Sequence, residues 1–237
     1  MRADFRHFAD ELAELKARLL TMGGLAEERL RLAMRALVDR DSRALEDVIA
    51  GDARINSLHL EIDDRCFTLI ALHQPVAIDL RMIVSTLKIN GDLERVGDLA
   101  VNVAEASQRY LTHPPVKPLI DLPRMGDLAS KMLRDSLDAF VERNVTIAQS
   151  VLRQDDWLDA FKGQVFRELL TYMLSNHSTI EPGVDLILIS RHLERVGDHA
   201  TNIAEDVIFL VEARDVRHRG GPPPGIERRK DTGVLPL

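Results

Sequence analysis

The run Leu93-Glu94-Arg95-Val96-Gly97-Asp98 occurs twice, returning as Leu193-Glu194-Arg195-Val196-Gly197-Asp198 one hundred positions later. The copies continue as Leu99-Ala100-Val101-Asn102-Val103-Ala104-Glu105 and His199-Ala200-Thr201-Asn202-Ile203-Ala204-Glu205. Both keep an E-x-x-x-D unit, an Asn four residues on, and a later Glu. An internal repeat fixes architecture before any local pattern does, because each copy must fold in the same way. The likeness extends upstream at an offset of 103, pairing Leu25 with Leu128, Ala26 with Ala129 and Ala36 with Ala139. It also pairs Val38 with Val141, Arg40 with Arg143, Val48 with Val151 and Asp52 with Asp155. Two copies of one unit are the simplest reading.

The unit belongs on a helix. With Glu94 as origin, Asp98 falls at about 40°, Asn102 at about 80° and Glu105 at about 20°. Upstream, Asn90 falls at about -40°, Leu87 at about 20° and Ile83 at about -20°. The row of oxygen-bearing side chains therefore continues a line that starts out apolar. An ionised carboxylate buried alone is very costly, so such a row needs a cation, a base or a proton. A metal ion is the expected counterion.

The apolar steps along the chain sort into helices. Leu12, Leu15, Leu19, Met22, Ala26, Leu30, Ala33 and Leu37 recur at three and four, predicting an amphipathic helix from about Phe5 to Asp39. Gly23-Gly24 is expected to interrupt it. Arg40-Asp41-Ser42 reads as a turn with Asp41 or Ser42 as N-cap. A second helix is expected from about Arg43 to His73, and a third from Val76 to Tyr110. Pro75 suits the third helix's first turn. Pro114, Pro115, Pro118 and Pro123 mark a semi-rigid linker over residues 113–123. The pattern then restarts. Residues 126–154 read as a fourth helix, continuous or broken at Arg143-Asn144, residues 155–178 as a fifth, and Glu181 to Ala213 as a sixth. The fold class expected is all-α, with two tandem three-helix bundles over 1–112 and 124–213, each running up, down and up. A basic tail over 214–237, with Arg228-Arg229-Lys230, reads as disordered.

Composition removes several function classes. The 237 residues carry a net charge of -7, which argues against unspecific nucleic-acid binding. A single cysteine, Cys66, excludes an intramolecular disulfide and a thiolate cluster; it reads as a buried small hydrophobe. No apolar run reaches membrane-spanning length and the N-terminus has no apolar segment, so a soluble cytoplasmic protein is expected. There is no Walker loop, no dinucleotide-binding glycine motif and no nucleophile elbow.

The metal ligands expected are Glu94, Asp98, Glu194 and Asp198, with Asp155, Asp159 and Asp52 from neighbouring helices. Asp155-x-x-x-Asp159 is a second acid pair at helical spacing, and its counterpart is Asp52-x-x-x-Asn56. An amide has replaced the second acid there, so the first unit's site is expected to be weaker. Oxygen donors suit Mg, Mn or Fe. The alternative is a solvated charge stripe, since acids four apart are common on exposed helix faces. No glutamate of either motif copy has a histidine three residues on, which sets the chain apart from di-iron bundles. His199, His59, His73, His113, His177 and His192 read as structural.

The chain resembles the PhoU family of bacterial phosphate-signalling regulators. The resemblance rests on His73-Gln74-Pro75-Val76, Asp79-Leu80-Arg81, Leu87-Lys88-Ile89-Asn90 and both copies of the L-E-R-V-G-D motif. It covers about Phe5 to Ala213. It implies two tandem three-helix bundles whose E-x-x-x-D motifs bind multinuclear metal clusters (Fe, Mn, Mg or Zn). It also implies a negative regulator of the phosphate (Pho) regulon. Such a regulator connects PstB, the ATPase of the phosphate ABC transporter, to the sensor histidine kinase PhoR, and meets the inner membrane only through those partners. The exposed bundle faces are expected to pair two copies as a homodimer. A carboxylate-bridged metal enzyme, an oxidase or a phosphohydrolase, is the competing class.

Overall fold

The computed structural model describes residues 2–51 and 53–216; Asp52 and most of the expected basic tail lie outside them. Seven α-helices follow one another: α1 (Arg2–Asp39), α2 (Ser42–Ala50), α3 (Ala53–His73), α4 (Ala77–Leu111), α5 (Asp121–Glu142), α6 (Val145–Ser175) and α7 (Ile180–Glu212). A short 3-10 turn, His177–Thr179, joins α6 to α7. The first bundle packs α1, α3 and α4 together with α2 against α1 and α4, and the second packs α5, α6 and α7.

The turns between the first two helices of each half are built alike. Arg40 and Arg143 both take left-handed backbone, with φ of 54° and 51°. The next residue closes each turn: Asp41 N donates to Ala36 O and Asn144 N to Ala139 O, both at 2.9 Å. Asp41 and Asn144 then cap the following helix, their side-chain oxygens accepting from Arg43 and Ala44 and from Thr146 and Ile147. The break at Arg143-Asn144 is therefore a helix end, and α6 runs on through residue 155 without the boundary expected there.

The halves differ at Gly51. A Cβ there would lie 2.3 Å from Nη2 of the buried Arg29, and the chain turns at this point, so the expected helix from Arg43 to His73 is two helices. Its counterpart at offset 103 is Gln154, where α6 is continuous. Two further expectations are corrected. Pro75 precedes α4 instead of entering its first turn, with Gln74 left-handed at a φ of 44°. Gly23-Gly24 does not interrupt α1, and Leu137 of α5 packs into the space beside Gly23, where a Cβ would sit 2.5 Å from its Cδ1. Gly126 on α5 receives Met34 of α1 in the same way, a Cβ falling 2.8 Å from Met34 Cγ. Gly23 and Gly126 are repeat mates, as are Met34 and Leu137, so this contact obeys an internal two-fold relation.

The second contact between halves is α4 against α7, antiparallel. Arg81 Nε donates to Leu210 O at 3.1 Å, Lys88 meets Asp206 at 3.3 Å and Arg109 meets Asp185 at 3.0 Å. Midway, His199 Nδ1 lies 2.8 Å from Asp92 Oδ1, and Asn202 donates to the same oxygen at 3.1 Å. The proline-rich stretch is tied down at both ends. Arg40 donates to the carbonyls of Leu111 and His113, each at 2.8 Å, and the buried Lys117 pairs with Asp121 and Glu168. Cys66 is fully buried and its thiol is pushed up to about 12, chiefly by burial, which leaves it inert.

The paired turns give a direct test. Arg143 is exposed, and it lowers the pKa of Lys16 after burial has done so. Arg143→Gly should therefore gain about 1 kcal/mol in urea unfolding by releasing left-handed strain. Arg40→Gly gives up two carbonyl hydrogen bonds and should gain nothing or lose stability.

Candidate metal centre

The acid rows lie where α6 runs antiparallel to α7. Asp155 and Asp159 stand one turn apart on α6, and Glu194 and Asp198 one turn apart on α7. Gly197 lets the helices close: a Cβ there would lie 2.4 Å from Leu158 Cδ2 and 3.6 Å from Asp155 Oδ1. The glycine of the repeated motif thus sets how near the α6 carboxylates come to those of α7.

Crowding shows in their acidity. Asp155 is pushed up to about 6, first by burial and then by Asp198, Asp159, Asp156 and Glu194. Asp198 is also raised, by partial burial first and then by Glu194 and Asp159, with His199 and Lys162 opposing. Asp159 and Asp198 are nonetheless exposed, so the row faces water along one side. The cation in place is Lys162. Its Nζ lies 2.7 Å from Glu194 Oε1 and 3.1 Å from Asp159 Oδ1. Its own pKa is raised, chiefly by the hydrogen bond to Glu194. One ammonium thus pairs with two of the four carboxylates, Glu194 and Asp159.

Sequence reasoning passed over Lys162, although its signal was present. It lies about 20° from Asp155 around α6, on the same stripe. Its counterpart at offset 103 is His59, which sits 3.6 Å from Asp63. In the first bundle Glu94 is half-buried with the guanidinium of Arg95 at 3.6 Å, and Asp98 is half-buried one turn on. Asp52 lies outside the described residues, so the first row is seen only in part. Upstream, Asn90 is buried and donates to His59 O and to Asp63 Oδ1, both at 2.9 Å, bridging α3 and α4. Asn202 does not extend the acid row: it turns to Asp92 on α4. His199 is the structural histidine expected, held by the same carboxylate, and His73 is held by Glu11 at 2.8 Å.

The donor set fits a hard cation in chemistry, since all four side chains offer oxygen and carry excess negative charge. Among the described residues no three acid, histidine or cysteine side chains already form a closed shell. A metal would have to take the place of the Lys162 ammonium and draw Asp159 and Glu194 inward.

A family model, the PhoU domain, matches residues 19–107 and 122–207, one match in each half. The chain belongs to the PhoU family. A phosphate-specific transport system accessory protein PhoU homolog from Caulobacter vibrioides is 40% identical over 212 residues, spanning 89% of this chain and 92% of its own. The homolog from Aquifex aeolicus is 39% identical, over 88% and 95%. The crystal structure of PhoU from Pseudomonas aeruginosa superposes with a TM-score of 0.84 at 38% identity, covering 87% of this chain and all of that one. The phosphate transport system regulatory protein PhoU from Streptococcus pneumoniae gives 0.81 at 31% identity, covering 88% and 99%. These matches establish two PhoU-type bundles in one chain.

The acidity of Asp155 predicts a pH effect with a definite sign. Its folded-state pKa lies above the ordinary 3.8, so the folded protein holds a proton that the unfolded chain has released. In metal-free protein, stability should then fall as pH rises from about 4 through about 6. Asp155→Asn should raise the Tm of chelator-treated protein at pH 7.5 by roughly one to three degrees, the scale of a partly screened charge in a chain this size. At pH 4 the two proteins should melt together in a calorimeter.

Proposed function

We propose that this protein is a non-enzymatic negative regulator of the phosphate (Pho) regulon and a modulator of phosphate uptake. In this reading it acts as an adaptor between PstB, the ATPase of the phosphate ABC transporter, and the sensor histidine kinase PhoR. The observation that carries the reading is family membership along both halves, with relatives named as phosphate transport accessory proteins. When phosphate is plentiful it holds the kinase silent and limits transport. Its place is the cytoplasmic side of the inner membrane, reached through partners; no helix among the described residues is long and apolar enough to cross a membrane. Two copies associate as a homodimer.

Metal belongs to this proposal. Glu194, Asp198, Asp155 and Asp159 would hold one centre and Glu94, Asp98 and Asp52 the other, with Fe, Mn, Mg or Zn as the ion. The ion would neutralise carboxylates that now share Lys162, and so stiffen the α6–α7 face for contact with a partner. The support is the raised pKa of Asp155 and Asp198, set by burial and by neighbouring carboxylates, which marks a site short of positive charge.

Deleting the gene should abolish repression of a phosphate-starvation promoter in phosphate-rich medium, and the intact gene should restore it. Normal repression in the deletion strain would refute the adaptor role. Elemental analysis of the purified protein should find bound metal that Glu194→Ala with Asp198→Ala removes more completely than Glu94→Ala with Asp98→Ala. Saturating metal should also reverse the order of stability at pH 7.5, leaving Asp155→Asn below the parent. Turnover of a phosphomonoester, or oxidase activity with Fe or Mn, would instead support the enzyme class.

A further inference from the structure

The same α6–α7 seam opens into a cleft of about 710 Å³, with Lys162, Glu194 and Asp198 of the acid row at one end of its lining. Around α6, Phe166 follows Lys162 and Leu170 follows Phe166 at steps of four. Around α7, Ile187 precedes Arg191 by four and Arg191 precedes Glu194 by three, so they share a face. The face therefore grades from carboxylates at one end to apolar side chains at the other, where Leu174 is 76% exposed, Phe166 49% and Val184 42%. Three guanidinium groups, Arg167, Arg191 and Arg195, also line the cleft, and none forms an ion pair among the described residues.

The other half of the molecule lines its matching seam differently: a cleft of about 590 Å³ there takes in His59, Gly91, Glu94 and Arg95 together with His199 and Asn202 of α7. There Asn90 bridges α3 to α4 through Asp63 and His59. Its mate in the second half, Ser190, donates instead to Ile187 O of its own helix, at 2.8 Å. Phe166 stands where the first half has Asp63, and Gly163 where it has Leu60. The bridge is missing, Arg167 lies over Gly163, and the Phe166 ring lines the gap. The arginines of this cleft form no ion pair among the described residues, whereas Arg95 at the first half's cleft lies 3.6 Å from Glu94.

The geometry points to a docking groove for an acidic amphipathic helix of a partner protein. Its apolar side chains, spaced i and i+4, would pack on Phe166, Ile187 and Leu170, while flanking carboxylates would meet Arg167, Arg191 and Arg195. The argument for this occupant is charge complementarity combined with a concave channel between two helices. A bilayer surface would need a flat or convex apolar face. The inference rests on the adaptor reading, since it supplies the adaptor with a partner surface.

The test is a selection of helical peptides from a random display library on the full-length purified protein. Enriched peptides should carry Leu, Ile or Phe at i and i+4 with Asp or Glu beside them. They should lose at least tenfold in affinity to Phe166→Glu and, separately, to Arg191→Glu, with both variants melting like the parent. Phe166 and Arg191 are exposed, so two independent variants guard against a folding artefact. Enrichment of basic peptides, no enrichment, or binding unchanged in both variants would overturn the inference. Anionic vesicles that sediment the parent but not Phe166→Glu would assign the face to membrane and overturn it too. A dimer that Phe166→Glu dissociates in sedimentation equilibrium would likewise assign it to a second copy. Promoter repression is scored in cells and peptide binding on purified protein, so failure of the groove and failure of the adaptor role are distinguishable.

Discussion

The molecule is held in one piece by the antiparallel contact of its two motif-bearing helices. α4 and α7 bring buried carboxylates into register with bases from the facing helix: Asp206, 1% exposed, with Lys88, and Asp185, 8% exposed, with Arg109. Buried acids of this kind are weak net stabilisers, but removing one partner is expensive, so they specify register strongly. A slip along the seam would separate both pairs and pull Asp92 from His199 and Asn202 together. Everything on the outer faces of α4 and α7, including both acid rows, inherits its position from that register.

The α1–α5 contact supplements the seam through shape. Gly23 admits Leu137 and Gly126 admits Met34, so backbones approach closely at two points related by the repeat. The same device recurs at Gly197, where Leu158 enters and carries Asp155 towards Asp198. Glycine inside a helix costs about 1 kcal/mol against alanine. Close packing of the facing side chain offsets that cost, and at Gly197 it also sets the spacing of the acids.

Much of this was legible in the sequence, because repeats and three-four apolar steps report directly on buried faces. The two halves, the acid pairs on α6 and α7, the Asp41 cap and the inert Cys66 all follow from local pattern. What escaped depends on contacts between distant segments. Gly23-Gly24 reads locally as a helix breaker, and only the arrival of Leu137 explains it. The single helix expected from Arg43 to His73 breaks at Gly51, beside the buried Arg29. Asn202 shares the acid row's spacing but turns to Asp92 on a different helix. Lys162 stands in line with the acids it serves, yet an unremarked lysine among acids reads as ordinary surface until the facing helix is in place.

The seam also bears on how such a chain could arise from a shorter one. Repeat mates stand one hundred positions apart along α4 and α7, so each cross-pair has a definite image in a molecule made of two identical halves. Doubling the first half would set Lys88 against Ala106 and Asp92 against Leu99. Doubling the second would set Asp206 against Leu188 and His192 against His199. Neither symmetric arrangement would reproduce the present polar pairs, so the seam depends on differences between the two halves. The scaffold is a record of duplication, and its seam is where the two descendants became unable to replace each other.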